Sequence, residues 1–158
     1  MAELETVHTD STLRIVISRN VQANVWSNAP TVEQMRLFGR VGVAQMRPHP
    51  RGTGLLNLIV GGTPSFSEAV RAETVKLVKQ PGIFSLGAAH LVLVGGFTGT
   101  AVRAFLSTVL LLGRPPCPNK VFGDPETAAA WLAPLLAQGA ERWSQAELIA
   151  LVAQLAND

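Results

Sequence analysis

Charge is scarce in this chain of 158 residues: Lys and Arg number 13 and Asp and Glu 11, together 15%, where an ordinary soluble domain carries about 25%. With 47% apolar residues as well, the composition excludes an intrinsically disordered chain. The single cysteine, Cys117, excludes an internal disulfide framework. The opening stretch holds Glu3, Glu5 and Asp10 and no apolar run, so no secretory signal is read there and a cytoplasmic location is the expectation. His and Cys pairs at ligand spacing are lacking and the acids are scattered, so neither a metal site nor a cofactor is expected. The length suits one domain of about 100 to 200 residues.

Groups able to do chemistry are equally few. His8 lies near the start, His49 sits between two prolines, and His90 opens an apolar strand, where a hydrogen-bonded core or strand-edge role is expected. No Gly-x-Ser-x-Gly elbow is present. Cys117, flanked by Pro116 and Pro118, is either incidental or a reactive thiol if a cation lowers its pKa. Glu68 with Glu73 and Asp124 with Glu126 read as helix caps and exposed faces. No catalytic residue is assigned, and the chain is expected not to be an enzyme.

The charge that exists is uneven. Residues 34–123 carry ten bases against Glu68 and Glu73, a balance of +8, while the two ends carry a balance of −6. Such asymmetry marks a surface for an anionic partner, or else disappears when the segments fold together. With no run of bases and no aromatic residues between the arginines, no nucleic-acid partner is expected.

Apolar periodicity outlines an α/β chain with a mixed, mainly parallel sheet of four to five strands and flanking helices. Thr12–Ser18 and Val21–Trp26 read as an opening strand pair. Pro30-Thr31 starts a helix, with Thr31 and Gln34 at capping-box spacing and an end before Pro48. Gly39 and Gly42 inside it either permit close packing or mark a shorter helix. Leu55–Val60 and Ala88–Val94 read as strands buried on both faces, each followed by a double glycine and a helix. The first of those helices is expected to be capped by Ser65 with Glu68, the second to run from Ala101 to about Leu112. Lys120–Phe122 is a last short strand, and Asp124-Pro125 caps a helix carrying Trp131 and Leu132. One domain is read over 1–137, and 138–158 as an appended amphipathic helix with its own Ser144–Glu147 capping box.

Leu91–Leu112 contains only Arg103 as a charge and is long enough to span a bilayer, but Gly95-Gly96 and Gly99 interrupt it, so no membrane span is expected. The helix within it is apolar almost all round. That implies either a central buried position or a subunit interface, most simply in a homodimer.

The two glycine-rich turns are the best candidates for a site, because ligands of open α/β sheets bind outside the carboxyl ends of the strands, where helix N-termini attract anions. Candidate ligand or partner residues are Gly62, Thr63, Ser65, Gly96, Thr98, Thr100 and Arg103, and Thr63 and Ser65 are candidate phosphorylation sites. Tight-turn and capping roles explain the same residues structurally.

The order of elements, closing with Val121-Phe122-Gly123-Asp124-Pro125-Glu126-Thr127-Ala128 and Trp131-Leu132, resembles a STAS domain over about residues 10–137. That family is the anti-anti-sigma-factor-like α/β fold of bacterial regulators. The resemblance implies a non-enzymatic regulatory and signalling module that binds another protein, in several members under Ser or Thr phosphorylation at the helix start after the strand matching Leu55–Val60. The Asp-Ser-Ser-Gly type sequence of phosphorylated members is replaced here by Gly62-Thr63-Pro64-Ser65-Phe66-Ser67. The alternative is a carrier or sensor of a small apolar or anionic ligand held at the glycine-rich turns.

Overall fold

The computed structural model describes residues 3–158. Strands β1 (Glu5–Thr9), β2 (Leu13–Ser18) and β3 (Val21–Trp26) form an antiparallel meander. From β3 onward, β4 (Gly54–Ile59), β5 (Gly87–Val92) and β6 (Asn119–Phe122) run parallel, so six strands lie side by side in chain order. Parallel neighbours require crossovers, which are supplied by helices α1 (Val32–Met46), α2 (Glu68–Lys79) and α3 (Gly96–Gly113). All three bury their apolar stripes on one face of the sheet, against Leu55, Ile59, Ala88 and Val92. Helices α4 (Pro125–Leu136) and α5 (Gln145–Ala156) cover the other face, against Leu56, Leu58, Ala89 and Leu91. The alternation of side chains along each strand thus feeds two cores, and β4 and β5 are buried at every position.

The chain has one strand more than the four to five expected. Glu5, Thr6, Val7 and Thr9 are all exposed, so no apolar alternation announces β1. It exists only through its pairing with β2, interrupted by a register shift between Thr6 and His8. The capping boxes at Thr31 and Ser144 form as expected, and Asp124 caps α4 by accepting from the Thr127 amide. Two helix starts differ from expectation. Ser67, not Ser65, accepts from the Val70 amide at the head of α2, and α3 begins at Gly96 rather than Ala101, which places Thr98-Gly99-Thr100 in its first turns. A start at Gly95, which has no side chain to cap with, could not be told from a loop by residue type.

Helix α5 is not peripheral to this core. Leu148, Leu151, Val152 and Leu155 share one cluster with Leu132 and Leu136 of α4. Arg19, in the β2–β3 turn, donates to the Arg142 carbonyl and pairs with Glu147, and Arg14 pairs with Asp158. Helix α3, by contrast, is apolar on a face that nothing among the described residues covers: Phe97 is 80% exposed, Leu111 76% and Leu112 54%. By length and composition it is the one helix among the described residues able to cross a membrane, with 33% of it buried.

The glycines of α1 permit close packing. A Cβ on Gly42 would sit 2.6 Å from Ile83 Cδ1 and 2.9 Å from the Phe84 ring. Gly42→Val is therefore expected to destabilise the fold by about 1–3 kcal/mol through overpacking. Urea unfolding checks this, and an unchanged midpoint would show that the α1 contact is loose.

Candidate functional site

Between the sheet and helices α1–α3 lies a cavity of about 80 Å³. Its floor takes in Leu55, Asn57 and Ile59 of β4 and spans the neighbouring strands through Trp26, His90 and Asn119. Its walls are apolar, supplied among others by Phe38 of α1, Leu77 of α2 and Val102, Leu106 and Val109 of α3. Charged residues are absent from its lining.

A polar row crosses the floor of this apolar space. Asn57 and His90 face each other directly in the β4–β5 register, and each lies at the third position of its strand repeat, Leu55-Leu56-Asn57 and Ala88-Ala89-His90. Trp26 Nε1 bonds to Asn57 Oδ1 at 2.8 Å, Asn57 Nδ2 to His90 Nδ1 at 3.0 Å, and His90 Nε2 to Asn119 Oδ1 at 2.9 Å. Asn119 Nδ2 then reaches the Cys117 carbonyl at 3.3 Å and its Sγ at 3.5 Å. Because an indole N–H only donates, the direction of the whole row is determined from its first member. Asn57 must accept with its oxygen and donate with its nitrogen, so His90 Nδ1 accepts and His90 Nε2 carries the proton toward Asn119.

The neutral imidazole is thus the form that fits. Burial lowers the His90 pKa below its usual 6.5, opposed by the bond to Asn119, which favours the cation. The sign for stability follows. The unfolded chain takes up a proton as pH falls through about 6.5 while the folded chain does not, so stability is full above that value and declines below it. The decline attributable to this group sets in near pH 6.5 and continues as pH falls toward the lowered value of the folded chain. Urea midpoints measured across that interval check it, and a flat profile would contradict a neutral, engaged His90.

Cys117 lines the same cavity with its thiol pKa raised by burial. That leaves it protonated and a poor nucleophile, rather than a thiolate activated by a neighbouring cation. Directly opposite Asn57 in the β3–β4 register, Asn24 is fully buried and its Nδ2 has no partner, as is true of Gln22 Oε1 beside it.

The mouth of the cavity lies at the carboxyl ends of β3 and β4. There the irregular segment 60–67 crosses the opening, fastened by Asn28 Oδ1, which accepts from the Thr63 amide at 3.1 Å and from the Thr63 hydroxyl at 3.2 Å. Gly62 holds φ +121°, and a Cβ there would meet the Asn28 backbone at 2.7 Å, so this close crossing requires glycine. Phe66 of the same segment stacks on Phe105 of α3, with ring centroids 3.9 Å apart and planes at 6°. The stack is part of the cavity wall.

Of the residues singled out from sequence, Thr63 lies at this mouth and Gly62 shapes the crossing, while Ser65 is exposed on it. Gly96, Thr98, Thr100 and Arg103 form a separate group on the opening turns of α3 and do not line the cavity. Thr100 donates back to the Gly96 carbonyl, and Arg103 lies beside Gly99 and Gly123. Sequence reasoning missed Trp26, Asn57 and Asn119. The signal available was Asn57, a lone amide inside an apolar strand at the repeat position of His90. No family model, curated protein or solved structure matches the chain.

Proposed function

We propose that this chain is a non-enzymatic sensor module of STAS-like kind that binds a small apolar molecule in the cavity beneath α1–α3. The observation that carries this reading is the apolar cavity itself, crossed by a neutral polar row inside an otherwise close-packed interior. Apolar cavities stay dry and accept apolar guests, and α/β ligand sites open at the carboxyl ends of strands. The consecutive parallel strands with α1–α3 on one face are compatible with the STAS-like architecture. No reaction is assigned, because both ring nitrogens of His90 are engaged by Asn57 and Asn119 and the Cys117 thiol is held protonated.

Helix α3 supplies Val102, Leu106 and Val109 to the cavity and Phe97, Leu111 and Leu112 to the outside. The regulatory reading draws on that double exposure: occupancy moves one helix wall, and a protein partner or a second copy reads the outer face. Leu111→Glu would abolish such an association without touching the cavity, a result sedimentation and binding assays would detect.

Val109→Phe is expected to occupy the cavity with its own ring and remove binding of pentane, seen in the wild type as shifts of the Leu106 and His90 resonances in an NMR titration. Unchanged pentane shifts in the filled variant, or none in the wild type, would overturn the proposal.

A further inference from the structure

Resting on the cavity reading above, we infer that the ligand is a neutral, small molecule with one carbonyl-type oxygen, which accepts a hydrogen bond from Asn57 Nδ2. Three observations narrow the chemistry to this class.

The first is charge. The cavity lining contains no Lys, Arg, Asp or Glu, and its only titratable groups, His90 and Cys117, are both held neutral by burial. A carboxylate, phosphate or ammonium placed there would have no counter-charge, and a buried unpaired charge is far more costly than a neutral polar group. The ligand is therefore uncharged, which removes the anionic half of the sequence-based alternative from this site.

The second is the count of donors along the row. Trp26 spends its N–H on Asn57, His90 spends Nε2–H on Asn119, and Asn119 spends its amide hydrogens on the Cys117 carbonyl and sulfur. Asn57 spends one amide hydrogen on His90 and has another without a partner. Trp26 and His90 hold the amide from both sides, so its orientation is set before any ligand arrives. The unspent hydrogen calls for an acceptor, and a ketone, aldehyde or ester oxygen supplies one without adding a donor that would then need its own partner.

The third is size. The cavity of about 80 Å³ is about half the volume of an engineered cavity that admits benzene. A molecule of about five carbons suits it better than a larger ring system or a long acyl tail.

A series of similar molecular volume separates the possibilities: pentane, methyl propyl ketone and butyrate, titrated into the full chain at neutral pH and followed by NMR, with the infrared carbonyl stretch of the bound ketone recorded in parallel. The ketone is expected to bind about tenfold tighter than pentane, with its carbonyl stretch below the hydrocarbon-solvent position, and butyrate not at all. In Asn57→Leu the ketone falls to the affinity of pentane and the stretch returns to the hydrocarbon value. Should that variant not fold, the infrared shift in the native chain still decides. Pentane binding as tightly as the ketone with an unshifted carbonyl overturns this inference and leaves the apolar-ligand reading standing. Butyrate matching the ketone overturns it too, and failure of all three compounds to bind overturns the cavity reading itself.

Discussion

Asn57→Leu is expected to lower the stability of the chain by about 2–6 kcal/mol, although it exchanges a polar residue for an apolar one of similar size in an apolar core. The substitution strands two buried groups at once. Trp26 Nε1–H loses its acceptor and His90 Nδ1 loses its donor, and each orphan costs about 1–3 kcal/mol. The new side chain offsets only part of that loss, because both stranded groups stay buried, Trp26 at 4% and His90 at 5% exposed. Urea unfolding followed by circular dichroism measures the loss, and the Trp26 indole N–H resonance reports the freed donor. A double change, Asn57→Leu with His90→Leu, should recover part of the stability, because replacing both partners removes the His90 orphan. If the single variant is as stable as the wild type, the row is not a coupled network and the tautomer assigned to His90 loses its basis.

Trp143→Ala is the other large effect expected, at about 3–5 kcal/mol. Trp143 precedes α5, is 4% exposed, and donates from Nε1 to Asn20 Oδ1 at 3.0 Å. The Arg19 guanidinium lies 3.7 Å from its ring centroid, so the β2–β3 turn grips the indole from the face and from the edge. Truncation leaves a void in the cluster that holds Leu86 and Leu148 and strips Asn20 Oδ1 of its donor in a site only 2% exposed. The measured outcome should be a lower urea midpoint with a single transition retained, since α5 shares its cluster with β4 and β5. A separate early transition with the main midpoint unchanged would show instead that the last twenty or so residues form an independent appendage.

Much of the architecture was legible in residue order because it depends on local chemistry. The Thr31–Gln34, Asp124–Thr127 and Ser144–Glu147 caps are set by residues within one turn, and each forms where the spacing places it. The continuous apolar runs at Leu55 and Ala88 announce strands covered on both faces, and that is what β4 and β5 are. Strand β1 and the start of α3 were not legible. The first has no buried side chain, and the second opens on glycines that cap nothing.

The site divides along the same line. Glycine-rich turns after parallel strands are visible as residue types, and one of them, at Gly62 and Thr63, does stand at the mouth of the cavity. The other leads into an exposed helix start. What the chain's own order determined was its element types, their succession, their caps and the shortage of charge that here becomes two cores and an uncovered face on α3. Only the tertiary structure decided that Trp26, Asn57, His90 and Asn119, spread over four strands, form one directed row under a cavity. Caps and periodicity act between residues a few positions apart, whereas the row depends on the register of β3 through β6, set by the packing of all three crossover helices at once.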